Sequence, residues 1–589
     1  MSTLPEQLRE MESHHSIFES ALRRLPLPVC TVFRSPDQPV PVRFAASDKI
    51  LRTPDNAIVA RSFPLSIEAS GNAVLVPTPS DAPPVKGKRV AVLFSGGPAA
   101  GGHNVVAGIR RILGDGNTLL GVTPGPKGLI KGAFFEITDD AIASYLNTGG
   151  FDFLGTDRTK IKTDAQFRKV KENCVEYGID AIIIIGGDDS NTNAAILAEY
   201  LFKDAKPDGS GVQVIGVPKT IDGDLQVKGF LPISFGFDTA TKIYSEMVGN
   251  ILQDTRSSLK YWHFIKLMGR SASHVTLEVA LQTKPAVALV SEEVAEKKQS
   301  LSSIVDQIAR AVVARARKAM NHGVVLVPEG LIEFIPEIHY LIVELNDVLA
   351  HNEKEFSRLH DSARLIFIQN KLSSENARLL ASLPDYIVNQ LLTDRDSHGN
   401  LQVSLIPTEQ LLIDMVARYV REIDAGIPFA AQSHFFGYEG RCGAPTRFDA
   451  AYTYNLGLTA ASLVLDGRTG YMASVTNLTD GGHPIAIPLT GLLQIERRQG
   501  QDEFVIRKAL VEMNSPAMRY FASRRGDWAD DDHFSSPGPR QMWGPAARQQ
   551  PITVALNSNS DSLEFTIGEA GTEDRGQRTE DRALTAFAS

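Results

Sequence analysis

Cysteine is scarce in this 589-residue chain: Cys30, Cys174 and Cys442 are the only three. So odd and sparse a set excludes a disulfide framework and a cysteine-rich zinc site, and it fits a reducing compartment. Long apolar runs are absent as well, and no stretch approaches the roughly 20 residues that a membrane-spanning helix needs. A surplus of positive charge is also missing. The 60 Lys and Arg against 69 Asp and Glu give a formal charge of −9, so no general basic field exists for nucleic acid, and any bound phosphate must be met by local cations. Residues 1–25 mix Glu6, Glu10, Glu12 and Glu19 with arginines and resemble neither a secretory signal nor an acid-poor transit peptide. A cytoplasmic protein with neither nucleic-acid nor membrane partner is expected.

What is present is an ordinary globular composition, 43% hydrophobic and 22% charged, on a chain long enough for roughly three to four domain-sized units. Residues 1–86 form an amino-terminal extension that ends in a proline-rich stretch from Val76 to Pro84, which reads as a linker or surface strap. From Arg89 onward, short β-branched runs alternate with helical patterns: Val90 to Phe94 before a helix from His103, Ala181 to Ile185 before another helix, and Val212 to Val217 before a loop. A second series follows, with strands at Trp262 to Leu267, Ala286 to Val290 and Val324 to Val327 between helical stretches. Such alternation predicts an α/β chain of two Rossmann-like doubly wound halves facing each other across a cleft. The expected boundaries are 87–258 for the first half, and 259–334 with 425–515 for the second. Residues 335–424, mainly helical in pattern and poor in glycine, read as an insertion, and 522–589, rich in Asp, Gly, Pro, Gln and Arg, as a disordered tail without catalytic duty.

Chemistry concentrates where predicted strands end. Ile182 to Ile185 is followed by Gly186-Gly187-Asp188-Asp189-Ser190, which puts two adjacent carboxylates at the carboxyl end of a buried strand, where open α/β sheets bind ligands. Free backbone amides at a glycine turn attract anions, yet both aspartates are negative. A divalent cation between protein and phosphate, held by at least one of the two carboxylates, reconciles them. A helix N-cap alone would need only one Asp. The loop Ser95-Gly96-Gly97-Pro98-Ala99-Ala100-Gly101-Gly102 follows the first strand and offers backbone amides to a phosphate, without the GxGxxG spacing of dinucleotide folds or the Lys-Ser/Thr ending of a P-loop. Pro218-Lys219-Thr220-Ile221-Asp222-Gly223-Asp224 gathers a cation, a hydroxyl and two carboxylates in seven residues. A phosphoryl transfer requires a base for the attacking hydroxyl and a positive group for the charge on the phosphoryl oxygens, and Asp222 and Lys219 suit those tasks.

Six ordered motifs across roughly Arg89 to Ile495 resemble the phosphofructokinases, and in particular their long pyrophosphate-dependent class: Gly96-Gly97-Pro98, Gly186 to Ser190, Lys219 to Asp224, Met268-Gly269-Arg270, Pro328-Glu329-Gly330 and Tyr438-Glu439-Gly440-Arg441. The resemblance implies the phosphofructokinase fold and Mg²⁺-dependent phosphoryl transfer from pyrophosphate to the 1-hydroxyl of fructose 6-phosphate. It makes Asp222 the proton acceptor, Asp188 the Mg²⁺ ligand and Gly97 part of the donor-phosphate cradle. Thr220, Ile221, Asp222, Met268, Gly269, Arg270, Glu329, Tyr438, Glu439, Gly440 and Arg441 become the sugar-phosphate site. Lys260-Tyr261 becomes a pair lent to a neighbouring subunit, which implies at least a homodimer.

Arg270 and Arg441 offer planar donor forks to a phosphate dianion, in keeping with this assignment. ATP-dependent relatives carry glycine at the positions of Asp189 and Lys219. A carboxylate at 189 near an ATP α-phosphate, with unit charges about 4 Å apart, would repel it by roughly 4 kcal/mol, on the order of a thousandfold in affinity. Lys219 would instead stabilise the phosphoryl group in flight. The competing readings are an ATP-dependent phosphofructokinase and a non-catalytic regulatory subunit of the same family. Retention of Asp188, Lys219, Asp222 and Arg270 together disfavours the regulatory reading.

Overall fold

The computed structural model describes residues 17–36, 38–78, 85–393, 405–498, 501–538 and 545–568. Sixteen strands are found among these residues: β1 Arg43–Ile50, β2 Ala73–Thr78, β3 Arg89–Ser95, β4 Thr118–Val122, β5 Phe134–Glu136, β6 Thr156–Asp157, β7 Ala181–Gly186, β8 Gln213–Pro218, β9 Tyr261–Leu267, β10 Val287–Ala288, β11 His322–Pro328, β12 Ala431–Phe436, β13 Tyr471–Thr476, β14 His483–Pro488, β15 Leu493–Arg498 and β16 Gln501–Ile506. The larger sheet runs β1-β2-β14-β13-β8-β7-β3-β4-β5, with β6 paired to the end of β3. Its centre, β4-β3-β7-β8-β13, is parallel and its margins antiparallel. The continuous apolar runs follow from burial on both faces. Val90, Val92 and Phe94 of β3 enter one core while Ala91 and Leu93 enter another, and Ile183 and Ile185 of β7 part from Ile182 and Ile184 in the same way.

The smaller sheet, β10-β11-β9-β12, is wholly parallel. Its outer face packs against the helices of residues 335–424, among them Pro336–Phe356 and Thr408–Ile423, in one continuous apolar cluster. Both sheets direct the carboxyl ends of their parallel strands toward a shared cleft, where loop residues of the two halves line one cavity.

Three boundaries differ from the sequence reading. The amino-terminal segment is built into the larger sheet, for β2 pairs with β14 through Leu75 and Ala486 and carries β1 at the margin. Of the proline-rich stretch, Val76 to Thr78 finish β2, whereas 79–84 lie outside the described residues. Residues 471–488, assigned by chain order to the second half, return to the first: β13 lies parallel beside β8 and pairs antiparallel with β14. A buried strand joins the neighbour whose free edge it fits, and sequence adjacency does not specify that neighbour.

The described parts of the tail, residues 522–538 and 545–568, are structured as well. The helix Pro516–Asp530 buries Phe521 and Trp528, and Phe565 and Ile567 enter the main core. Polar composition concealed a few well-spaced apolar anchors. Residues 539–544 and 569–589 lie outside the described residues.

Candidate active site

The donor side is assembled at the ends of β3, β7 and β8. Gly96 has φ +87°, a backbone that side chains avoid. A Cβ there would lie 3.3 Å from Lys219 Nζ, and one on Gly97 would lie 3.5 Å from Arg441 Nη1 and 3.6 Å from Arg158 Nη2. Three basic groups thus close on two glycines. Gly101 and Gly102, read from sequence as part of the same cradle, serve packing instead, since a Cβ would strike Thr453 at 2.7 Å and Phe151 at 2.3 Å. Beyond Gly187, helix α1 runs over Asp188–Tyr200 and begins with the two aspartates, where the helix dipole favours negative charge. The turn is fixed by Asn191 Nδ2, which donates to the carbonyls of Gly186 at 2.7 Å and Gly187 at 2.9 Å. Lys219 N donates to Gly186 O at 2.9 Å, and Thr220 Oγ1 accepts from Asp222 N at 3.1 Å, so the 219–224 loop is tied to its neighbour and to itself.

The opposite wall comes from the ends of β9, β11 and β12. These strands are in register at Leu267, Pro328 and Phe436, which sets the Met268, Glu329 and Gly437 loops side by side. Gly269 N donates to Glu329 Oε2 at 2.7 Å, and Met268 N to Phe436 O at 3.0 Å. The Arg441 guanidinium lies over the Tyr438 ring at 4.6 Å. Tyr244 donates its hydroxyl to Gly437 O at 2.5 Å, which anchors that turn from helix α2, Phe237–Ser258.

A cavity of about 190 Å³ lies between the walls, lined by Gly97, Asp188, Asp189, Lys219, Thr220, Asp222 and Arg270 of the residues singled out from sequence. Ile221 is buried behind its loop, and Met268, Gly269, Glu329 and the Tyr438–Arg441 turn, with Glu439 and Gly440, stand around the cavity rather than in its lining. Lys260 and Tyr261 sit at the amino end of β9, whereas the site lies at its carboxyl end. Seven residues at about 3.3 Å each put roughly 20 Å between them and Arg270.

Three further cations in the lining carry no sequence motif: Arg158, Lys160 and Lys508. Arg158 and Lys160 follow β6, whose pairing with β3 brings that polar loop to the glycines. Lys160 Nζ lies 3.1 Å from Asp189 Oδ1 and 3.4 Å from Glu503 Oε2 on the β15–β16 hairpin. The carboxylate at 189, read from sequence as a lone negative charge, is therefore ion-paired.

Burial dominates the electrostatics. It pushes Asp188, Asp222 and Asp224 above the ordinary carboxylate range, an effect that nearby Lys508 opposes in each case. Burial also pulls the Lys219 ammonium down to about 8, against the attraction of Asp222 and Asp188. Glu333, half-buried and within the influence of Arg270 and Glu329, is pushed up to about 7 by desolvation. Such a set can hold a polyanion, accept a proton at Asp222 and shield the reacting atoms from water.

These carboxylates suit a hard divalent cation. Asp188, Asp222 and Asp224 offer oxygen only, and Asp224 Oδ2 is buried without a well-directed hydrogen bond, although Lys508 Nζ stands 3.3 Å away. Among the described residues, no cluster of three or more His, Cys, Asp or Glu side chains is arranged to hold an ion alone. An ion bound through one or two carboxylates, completing its shell with ligand phosphates, needs no such cluster. Among the same residues no helix is long and apolar enough to cross a membrane.

The phosphofructokinase family model matches residues 89–464. The chain is 50% identical over 486 residues to the pyrophosphate--fructose 6-phosphate 1-phosphotransferase of Porphyromonas gingivalis, covering 80% of this chain and 87% of that one. It is 46% identical over 502 residues to the protein of that name from Treponema pallidum, covering 83% and 86%. Among solved structures, a pyrophosphate-dependent phosphofructokinase from Marinobacter aquaeolei aligns with a TM-score of 0.48 at 15% identity, over 77% of this chain and 96% of that one.

Proposed function

Because the chain belongs to the phosphofructokinase family, we propose that it transfers a phosphoryl group reversibly between pyrophosphate and the 1-hydroxyl of fructose 6-phosphate, giving fructose 1,6-bisphosphate and phosphate, a glycolytic step. One observation carries the donor choice. The cavity holding the proposed base, phosphate-binding cations and metal ligand is lined by glycine and by polar or charged side chains alone, a surface that suits a compact polyanion and offers no apolar or aromatic face to a nucleobase. An inorganic donor fits this space without a nucleoside, and relatives at 46–50% identity bear names that specify pyrophosphate.

Asp222 accepts the proton of the sugar 1-hydroxyl as its oxygen attacks the near phosphorus and the bridging P–O bond breaks, with the electron pair leaving on phosphate. The raised proton affinity of this carboxylate makes it a better base than a solvated aspartate. Lys219 offsets negative charge on the transferring group, where a buried ammonium acts most strongly. Gly97 presents backbone to the donor, and Arg270, with Arg441 and Glu329 beside it, holds the sugar phosphate and hydroxyls. Thr220, Ile221, Met268, Gly269, Tyr438, Glu439 and Gly440 shape the acceptor side. Asp188 would hold the metal, assigned as Mg²⁺, which when bound would supply positive charge to the donor's oxygens. Asp189 acts with Lys160 in donor selection.

The distance of Lys260 and Tyr261 from their own cavity supports their service to a second copy's site, and so a homodimer or larger assembly. Tyr261 and Leu259 carry φ of +73° and +56°, and Leu259 is largely exposed. Strained, exposed backbone at that point is what a contact with a partner would hold in place. A cytoplasmic location accords with such a substrate pair.

A donor panel with fructose 6-phosphate and Mg²⁺ tests the reading on wild type and on Asp222→Ser. Turnover with pyrophosphate is expected, with kcat lower by about 10²–10⁴ in the variant and donor KM little changed. Turnover with ATP alone would overturn it.

A further inference from the structure

The segment that follows the β15–β16 hairpin crosses the cleft as a strap, and hydrogen bonds fasten it to both halves. On the first half, Ile506 N donates to Thr192 Oγ1 at 3.0 Å and Ala509 N to Asp224 O at 2.7 Å. On the second, Ala509 O lies 2.9 Å from His274 Nε2, and Val511 N donates to Glu292 Oε1 at 3.0 Å. Between these anchors Lys508 turns into the donor cavity. Its ammonium donates to Ser271 Oγ of the second half at 2.7 Å and lies 3.3 Å from Asp224 Oδ2 of the first. An ammonium has three donors, and these two partners leave one for a ligand. The side chain is 27% exposed, with the cavity as the space it lines.

We propose that Lys508 is a further catalytic residue, a second lysine beside Lys219 that contacts the donor phosphates and offsets charge on the phosphoryl group as it moves between the two halves. The inference rests on the proposed pyrophosphate reaction. Three features distinguish this from structural pinning. The strap's backbone is already fastened on either side of Lys508, so the ammonium is not needed to hold it. Lys508 faces Asp188, Asp222 and Asp224 together, and a group in that position meets the metal ligand, the base and the donor at once. Its two partners stand on opposite walls, as required of a charge meant for an atom in transit across the cleft. Lys219 cannot duplicate it, being held against Gly96 on the first half. Residue 508 also lies beyond the 89–464 matched by the family model, so the cation comes from outside the matched core. It forms no covalent bond: the proton still goes to Asp222, and the leaving phosphate keeps the electron pair.

The test compares full-length wild type, Lys508→Met and Lys508→Arg with pyrophosphate, Mg²⁺ and fructose 6-phosphate, together with protease protection of the 506–513 strap and added ethylammonium. Lys508→Met is expected to lose on the order of 10²–10³ in kcat, with fructose 6-phosphate KM within threefold, protection unchanged, partial recovery with ethylammonium and milder loss in Lys508→Arg. A Lys508→Met enzyme within threefold of an active wild type overturns the inference alone, as does a loss accompanied by strap cleavage and no amine rescue. A wild type active only with ATP overturns the donor reading and this inference with it.

Discussion

Replacing Asp189 by glycine separates the charge and shape components of donor choice. A lone carboxylate about 4 Å from an ATP α-phosphate repels it by roughly 4 kcal/mol at an effective dielectric of 20 and by roughly 1 kcal/mol in water. Asp189 is 47% exposed, which puts the term between those limits, and Lys160 Nζ at 3.1 Å presents an opposite charge to the same space. The pair's net field on a phosphate is therefore small, and wild type does not exclude ATP by repulsion from Asp189 alone. Removing the carboxylate leaves Lys160 beside the donor, held then only by Glu503. ATP affinity should consequently rise by about 1–3 kcal/mol, roughly 5- to 150-fold. Asp189→Asn keeps the volume and removes the charge, so a comparable gain in both variants assigns the effect to electrostatics, and a gain confined to Asp189→Gly assigns it to space. Because either change weakens the start of α1 by up to about 1–2 kcal/mol, unfolding midpoints must accompany equilibrium ATP titrations. If ATP affinity is unchanged in both folded variants, position 189 has no part in donor choice.

With excess Mg²⁺, kcat/KM for pyrophosphate should trace a bell against pH. Lys219, pulled down to about 8, loses its charge as pH rises through that value, so the rate falls on the alkaline side. Asp222 must be ionised to act, and its raised pKa puts the acid limb above the solvated aspartate value of about 3.9. Lys219→Met should lose the alkaline limb, and an unchanged limb would sink the assignment. In the carboxyl-terminal region, Asp532 lies 2.7 Å from Arg315 Nη2 and 3.1 Å from His322 Nε2, and the Arg315 side chain is 2% exposed. Asp532→Ala should cost about 2–3 kcal/mol in urea unfolding, below the 3–5 of a fully buried pair because Asp532 stays partly exposed; a cost under about 0.5 kcal/mol would refute the role. Deleting 569–589 should leave activity and stability intact, whereas deletion from Asp527 onward should destabilise the chain by removing Trp528, Asp532, Phe565 and Ile567 together.

The sequence revealed those parts of the fold governed by local rules. Ile182 to Ile185 is buried on both faces because nothing else suits four branched side chains in a row, and Gly187 with Asp188 marks where strand gives way to helix. The second series showed its strands equally well, except that Ala286 to Val290 shortens to Val287–Ala288 at the sheet margin. Pairing partners were not legible. That β2 and β14 meet through Leu75 and Ala486, or that β13 lies against β8, depends on which edge is open after the rest has packed. The tail was misread for a related reason: Trp528, Phe565 and Ile567 are too few to change local composition, yet each fills a core position.

The same division runs through the site and determines its charge balance. Asp188, Lys219, Asp222 and Arg270 belong to motifs because their spacing is imposed by strand ends, so each could be read in place. Arg158, Lys160 and Lys508 arrive from a short paired strand and from a strap more than 280 residues beyond Asp222, where no spacing rule constrains them. Motifs alone therefore gave three acids at one wall, an isolated carboxylate at 189 and a single catalytic lysine. That inventory is electrostatically incomplete, since three buried carboxylates left together would take up protons rather than stay charged. The missing cations had to come from elsewhere in the chain, and an excess of acidic groups at a strand end is itself the signal that nonlocal lysines or a metal complete the site.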